Sequence, residues 1–304
     1  MSSSSAPRPP IVTSPAPAAG EPVFHDAFYK FARLADPDAV VVALRELTHA
    51  LLGSILVAHE GINGMLAGGA PELDAFQLAL ASDARFESQL GGVEFKRSPC
   101  VTAPFGRMKV RRRREILPLG VPDVDAVGHT RLALSPAEWR VLLASDDVIL
   151  IDNRNSFEYR LGRFTGAIDP QVHNFRDFPR YVQAHAADWK ASGKRVAMYC
   201  TGGIRCEKTS AFMAQLDLPV YELSGGILNY FLQLPDAEKE WEGECFVFDN
   251  RVALDTHLQE TGTTIDTAYA GDPDEAWRLQ RARRLAVQEL AVQELAEPDE
   301  TLER

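Results

Sequence analysis

Residues 199–213 read YCTGGIRCEKTSAFM and set two of the chain's four cysteines around a Gly-Gly pair and an arginine. The apolar run KRVAMYC in front of the pair has a strand pattern, and EKTSAFMAQL behind it has a helical period. A strand, a tight turn of Thr201, Gly202 and Gly203, and a helix opening near Cys206 would aim several backbone N–H groups, that of Ile204 among them, at one point. Two adjacent glycines supply the positive φ angles that such a nest needs. Cys200 stands at the start of the turn, facing the positive end of the helix dipole and Arg205, and both features lower a thiol pKa. The alternative is a small buried apolar residue at a strand end, the ordinary use of a free cysteine. Such a residue needs neither Gly-Gly nor Arg205, so Cys200 reads as a reactive thiolate. Cys206, in the first helical turn, is either core or a second thiol able to resolve an oxidised or sulfurated Cys200.

Around that loop, short apolar strands alternate with helices: PAEWRVLLAS capped by Ser135, the strand DVILID, the helix DFPRYVQAHAADWKAS, the loop's own strand and helix, then the strand PVYELSGG. The alternation predicts an α/β unit with a parallel sheet and helices on both faces. Ligands of open α/β sheets bind at the carboxyl ends of the strands, which is where Cys200 falls. The preceding segment has a different order. FHDAFYKFARL, GSILVAHEG, INGMLAGG and GVEFKRS read as strands, DPDAVVVALRELTHALL and PELDAFQLALAS as helices. Strand, helix, strand, strand, helix, strand is the split βαβ arrangement of ferredoxin-like α+β domains. The expected division is a disordered Ser/Pro/Ala arm over residues 1–20, a ferredoxin-like domain over 21–118, the α/β domain over 130–238 and a C-terminal extension over 239–304. In that extension the pentapeptide AVQEL occurs twice in succession, giving a charged helix with a narrow apolar stripe.

Two domains suit 304 residues, and 45% hydrophobic with 25% charged residues is an ordinary globular composition. Four cysteines do not make a disulfide framework in a chain this long, and neither they nor the seven histidines have metal-ligand spacing. No GxGxxG follows a strand to hold a flavin or nicotinamide, so neither a metal nor a cofactor is expected. With no signal or transit pattern and no apolar run approaching a membrane span, the expected compartment is the cytoplasm, without a membrane partner. A net charge of −11 argues against nucleic-acid binding through the whole surface, yet residues 107–114, RMKVRRRR, carry six basic residues in eight. Lys109, Arg111, Arg112, Arg113 and Arg114 form either a charged edge strand that resists aggregation or a local RNA-binding stripe. His59, Glu60 and Asn63, in AHEGINGM, serve turn chemistry, RNA binding or a contact with the second domain. Tyr199 is assigned to the core, Asp152 to ordering the active loop through hydrogen bonds, and Lys208 to the solvated face of its helix.

Spacing separates two chemistries for the loop. Cysteine phosphatases close a phosphate loop with Cys-x5-Arg, whereas Cys200 and Arg205 are spaced Cys-x4-Arg, which resembles the active loop of rhodanese sulfurtransferases. Residues 150–168, LIDNRNSFEYRLGRFTGAI, look like the rhodanese segment in which an aspartate, an arginine and a helix precede GxFxGAI, with Asp152 and Arg154 in the matching places. Beyond that domain, FYKFARL, AHEGINGMLAG, RMKVRRRREI, YCTGGIRCEK and FVFDNRV, in this order, resemble the tRNA uridine hydroxylase family over residues 23–252.

The resemblance implies a ferredoxin-like domain joined to a rhodanese domain. It also implies tRNA as partner and 5-hydroxylation of the wobble uridine, position 34, with dioxygen as co-substrate. Lys109 and Arg111 to Arg114 would then hold phosphates while Cys200 faces the base. Arg205, Asp152 and Cys206 are further catalytic candidates, and Thr201, Gly202, Gly203 and Ile204 form the anion nest. A sulfurtransferase carrying sulfane sulfur as a Cys200 persulfide shares the same loop, and a non-catalytic RNA- or partner-binding module is a third reading. The chain departs from the family pattern in one place. It lacks the cysteine-rich segment soon after FVFD, Cys245 aside, which leaves no ligands there for a metal or second redox centre.

Overall fold

The computed structural model describes residues 23–270 and 276–284, so the N-terminal arm and the AVQEL repeat lie outside the described residues. The first unit runs β1 (Val23–Phe31), α1 (Pro37–Leu47), β2 (Leu52–Ala58), β3 (Gly61–Gly68), α2 (Ala70–Ser82), the short α3 (Glu87–Leu90), β4 (Glu94–Cys100) and β5 (Met108–Arg112). Asp36 caps α1 by accepting from the N–H groups of Asp38 and Ala39 at 3.1 and 3.0 Å. The sheet order is β4-β1-β3-β2-β5, antiparallel except that β5 runs parallel to β2. This is the split βαβ order with one more strand at the edge, and that strand is the basic run.

The two-residue period of the strands gives this sheet two different faces. Phe28, Ile55, Ile62, Leu66 and Val110 turn towards α1 and α2 and form a core with Val40, Leu44, Leu73 and Phe76. The rung Lys109–Ser54–Met65–Ala27–Lys96, one register step away, lies on the opposite face. That face is covered by the second unit.

The second unit runs β6 (Leu132–Leu134), α4 (Pro136–Leu143), β7 (Val148–Asp152), α5 (Ser156–Leu161), β8 (Gly162–Phe164), α6 (Phe178–Ser192), β9 (Arg195–Tyr199), α7 (Ile204–Ala214), β10 (Val220–Leu223) and α8 (Gly226–Gln233). Its sheet is parallel, in the order β6-β10-β9-β7. Along β9 the side chains alternate between two cores. Val196 and Met198 pack with Val182, Phe212 and Met213 from α6 and α7, and Ala197 and Tyr199 pack with Trp139, Ile227 and Tyr230 from α4 and α8. The sequence pattern left β6 and α8 unassigned as elements of their own, because three residues of LAL carry no period and α8 opens on the second glycine of the Gly225-Gly226 breaker; α5 is the helix that the resemblance places before GxFxGAI. After β11 (Trp241–Gly243), which pairs with β8, a small hairpin of β12 (Cys245–Phe246) and β13 (Ala253–Leu254) carries the FVFDNRV motif. Its Asn250 returns to the first unit, donating from its backbone and side chain to the carbonyls of Pro104 and Ala103, each at 3.1 Å. Among the described residues no helix is long and apolar enough to cross a membrane.

Lys208 is not on a solvated face. It is 2% exposed, and its ammonium donates to both Glu60 oxygens at 2.9 Å, to Glu115 at 2.7 Å and to the Leu117 carbonyl at 2.8 Å. Helical periodicity marks the polar side of α7 correctly but carries no sign that another domain covers it. The same contact places Glu60, at the β2–β3 turn, on the domain interface. Replacing Lys208 with Met leaves two carboxylates facing each other without their cation. Breaking a buried charge cluster costs about 3–5 kcal/mol, discounted here to roughly 2 kcal/mol because both carboxylates remain partly wetted. The expected result in urea unfolding is a lower midpoint for Lys208→Met; an unchanged midpoint would show that the cluster does not hold the units together.

Candidate active site

The chain leaves β9 at Tyr199 and enters α7 at Ile204, earlier than the sequence places the helix start, with Gly203 as N-cap. Gly203 has φ of 97°, and its N–H donates to Cys200 Sγ at 3.1 Å. Of the Gly-Gly pair only this residue uses the left-handed region; Gly202 does not, and a Cβ on it would meet nothing. The close approach is at a second pair. A Cβ at Gly226, φ 70°, would stand 2.4 Å from the Cys200 carbonyl and 2.7 Å from Gly203 N, so α8 seals the back of the loop only because it begins with glycine.

Burial by itself would push the Cys200 thiol up. The hydrogen bond from the Cys206 thiol, the Arg205 charge, and the N–H groups of Cys206 and Arg205 outweigh it and hold the pKa at about 5. Cys206 moves the opposite way: burial, and then the neighbouring Cys200 thiolate, push it well above an ordinary thiol. Of the two, Cys200 is the thiolate and Cys206 the protonated thiol.

Cys200 lines a cavity of about 330 Å³ built mainly from three parts of the chain, with Leu117, Asn155, Phe175 and Leu228 completing it. The loop contributes Cys200, Thr201, Gly202, Ile204 and Arg205; the first sheet contributes His25, Ala27, Tyr29, Asn63, Met65 and Lys96; the hairpin contributes Val247, Phe248, Asp249 and Arg251. Lys96 reaches from β4 over the Tyr29 ring, 5.5 Å from its centroid, and donates to the Gly202 carbonyl at 2.5 Å. Burial holds its ammonium below the usual lysine range, against the opposing pull of the Cys200 thiolate. Tyr29 donates at 3.0 Å to Glu207, which Arg131 pairs at 2.7 Å. His25 is buried, and desolvation together with Arg251 lowers its pKa to about 4, so it is neutral at pH 7. Phe248 stands at the cavity wall, 49% exposed, with the Arg205 guanidinium 5.8 Å from its ring centroid.

Arg205 lines the cavity, but its fork is spent on Glu158, at 2.7 and 2.8 Å, and on Thr201 at 3.2 Å. Burial would raise the Glu158 carboxyl; Arg205 outweighs that and keeps it below its ordinary value. Asp152 does not line the cavity. Its carboxylate accepts from Arg154 at 2.6 and 2.8 Å and from the Tyr199 hydroxyl at 2.8 Å, behind the loop rather than in it. Tyr199 is core. The basic run is also apart from the cavity, since none of Lys109, Arg111, Arg112, Arg113 or Arg114 lines it. Four strand spacings separate β5 from β4, about 19 Å. Register nevertheless puts Lys109 and Arg111 on the sheet face that carries Lys96 and Tyr29, whereas Arg112 turns to α1, its Nε 3.9 Å from Asp38.

Sequence reasoning missed Lys96, Tyr29, His25, Glu158, Phe248 and Arg251 as site residues. Tyr29, Glu158, Phe248 and Arg251 stand inside segments already singled out, so their motifs were a usable signal. Lys96 and His25 sit on ordinary alternating strands, and nothing local distinguishes them.

Family models match two stretches of the chain: the UPF0176 acylphosphatase like domain over residues 25–116 and the rhodanese-like domain over residues 135–232. The chain is 44% identical to a tRNA uridine(34) hydroxylase of Legionella pneumophila (strain Corby) over 246 residues, covering 80% of this chain and 94% of the relative. It is 45% identical over 238 residues to a protein of the same name from Nitrobacter winogradskyi, covering 77% and 92%. A third, from Acinetobacter baumannii (strain AYE), is 43% identical over 252 residues, covering 81% of this chain and 77% of the relative.

The thiolate is directly testable. Carboxamidomethylation of Cys200 should rise through pH 5, the value at which half the thiol is ionised, and be level by pH 7. Burial pushes Cys100 and Cys245 up to about 11 and 12, so both should stay unlabelled at pH 7. Cys206→Ala removes a donor to the thiolate and should move the Cys200 midpoint upward. A profile that rises only above about pH 8, the range of an ordinary thiol, would refute the lowered pKa.

Proposed function

The chain belongs to the tRNA uridine(34) hydroxylase family, and we propose on that premise that it hydroxylates C5 of uridine 34 in cytoplasmic tRNA, with dioxygen as co-substrate and the Cys200 thiolate as the reacting group. The observation that carries this reading is the composite cavity. A sulfurtransferase for small donors needs only the loop, whereas here the outer face of a second domain and a C-terminal hairpin close over Cys200. Enzymes that act on a base take it out of its stack into such a pocket. Phe248, half exposed over the Arg205 guanidinium, offers a face on which that base can stack.

The basic edge strand completes the interface. Lys109 and Arg111 share the sheet face that runs into the cavity, so phosphates held at β5 leave the wobble base to reach across that face to Cys200. Arg113 and Arg114 are exposed beyond the strand end, beside Arg112. Gly203 and the start of α7 stabilise the thiolate, Cys206 stays protonated beside it, and Asp152 holds the Tyr199 hydroxyl behind the loop.

Purified protein given undermodified tRNA in air should add one oxygen to uridine 34, read by mass spectrometry of nucleosides, and should not do so without dioxygen. Thiocyanate formation from thiosulfate and cyanide with tRNA untouched would replace the reading with a sulfurtransferase. The double substitution Arg111→Glu and Arg113→Glu should weaken tRNA binding and flatten its salt dependence by roughly 0.7 to 0.9 in log–log slope for each phosphate that is no longer neutralised. Arg112→Glu, on the α1 side, should change the slope less. If none of these alters affinity, the run is a charged edge and RNA is held elsewhere.

A further inference from the structure

Three cations line the cavity, and two of them are committed. Arg205 is bound by Glu158, and Arg251 donates to Asp249 at 2.7 and 2.9 Å and to Ser98 at 2.9 Å. Lys96 has no carboxylate partner among the described residues; its hydrogen bond goes to the Gly202 carbonyl. An ammonium has three N–H donors, so donors remain to face the cavity that Lys96 lines. The same peptide unit that accepts from Lys96 through its Gly202 oxygen donates through its Gly203 nitrogen to Cys200 Sγ at 3.1 Å. The thiolate and the ammonium therefore sit at the two ends of one peptide group, within roughly 8 Å of each other, with the cavity beside both.

That spacing suits a particular use of a pyrimidine. C5 of uracil is a poor nucleophile until a thiolate adds to C6, and the charge then appears on the C4 oxygen at the far side of the ring. Resting on the function proposed above, we propose that Cys200 adds to C6 of the target uridine and that the Lys96 ammonium is the catalytic donor to its C4 oxygen. In this step the sulfur lone pair forms the S–C6 bond, and the C5=C6 pair moves to give a C5=C4–O⁻ enolate. The negative charge passes from sulfur to the oxygen, and no proton or electron is gained or lost. The enolate is the form in which C5 carries electron density towards an incoming oxidant. A preorganised donor aimed where charge develops is commonly the largest single contribution to catalysis. On this reading the N-terminal domain does more than bind RNA, because β4 supplies a group that the rhodanese loop lacks.

The enolate has a signature that needs no oxidant. In oxygen-free D₂O it takes a deuteron at C5, loses the original proton and expels the thiolate, so the C5 hydrogen of uridine 34 exchanges without net reaction. Wild-type protein with undermodified tRNA should show this exchange, and Cys200→Ser should not. Lys96→Met should exchange about 100-fold more slowly, the usual effect of removing one such donor, with tRNA affinity little changed and Cys200 still labelled at pH 7 as a check that the loop is formed. Wild-type protein that hydroxylates in air but shows no anaerobic exchange overturns the adduct and leaves the hydroxylase reading standing. Lys96→Met exchanging at the wild-type rate, or losing only tRNA affinity, overturns the role of Lys96. Absence of both hydroxylation and exchange in the wild type fails the functional reading itself.

Discussion

A negative charge on sulfur is costly inside a protein unless donors surround it, and Cys200 is completely buried. Much of the second domain's local geometry follows from that requirement. Gly203 takes a left-handed conformation and turns its N–H onto the sulfur. The parallel sheet delivers the start of α7 to the same point, because a parallel strand must be followed by a crossover helix whose N-terminus returns over the strand's carboxyl end. Gly226 lets α8 touch the loop backbone, and burial with the neighbouring thiolate keeps Cys206 protonated.

Around the loop, two buried ion pairs do different work. Arg205 and Glu158 join the first turn of α7 to α5, fixing the far wall of the loop. Arg154 and Asp152, with the Tyr199 hydroxyl, tie the ends of β7 and β9 together under it. Each keeps its charges paired in a dry interior, where an unpaired one would be strongly destabilising. Lys96 is the exception among the cavity's cations: it donates to the Gly202 carbonyl, at the other end of the peptide group whose N–H meets the thiolate.

The cavity belongs to neither domain. One wall is the outer face of the first sheet, and Lys208 with Glu60 and Glu115 holds that sheet against α7. The hairpin that carries Asp249 and Arg251 closes a third side and is anchored back onto the β4–β5 connection through Asn250 and Glu260. Adding β5 at the edge extends the same face outward, so an acidic chain presents its basic stripe on the surface that leads to the thiolate.

Local chemistry was sufficient for most of the elements and for the strand, turn and helix that carry Cys200. Asp36 and Ser135 announce helix starts because a cap is a contact within a few residues, and the continuous apolar run in KRVAMYC marks a strand buried on both faces. A Gly-Gly turn between that strand and a helix marks the anion nest, although the sequence did not reveal that only Gly203 needs to be glycine for its φ. Contacts between distant segments leave no such trace. Lys96 and Lys109 have the same strand parity and differ in sequence only by context, yet the sheet order puts one over the thiolate and the other at the opposite edge. Lys208 reads as an ordinary helix-surface lysine until a second domain covers it. Strand, helix and loop were determined by the sequence through short-range sterics and hydrogen bonding. Which polar side chains meet in the cavity was decided only by the packing of one domain's outer sheet face onto the other's active loop.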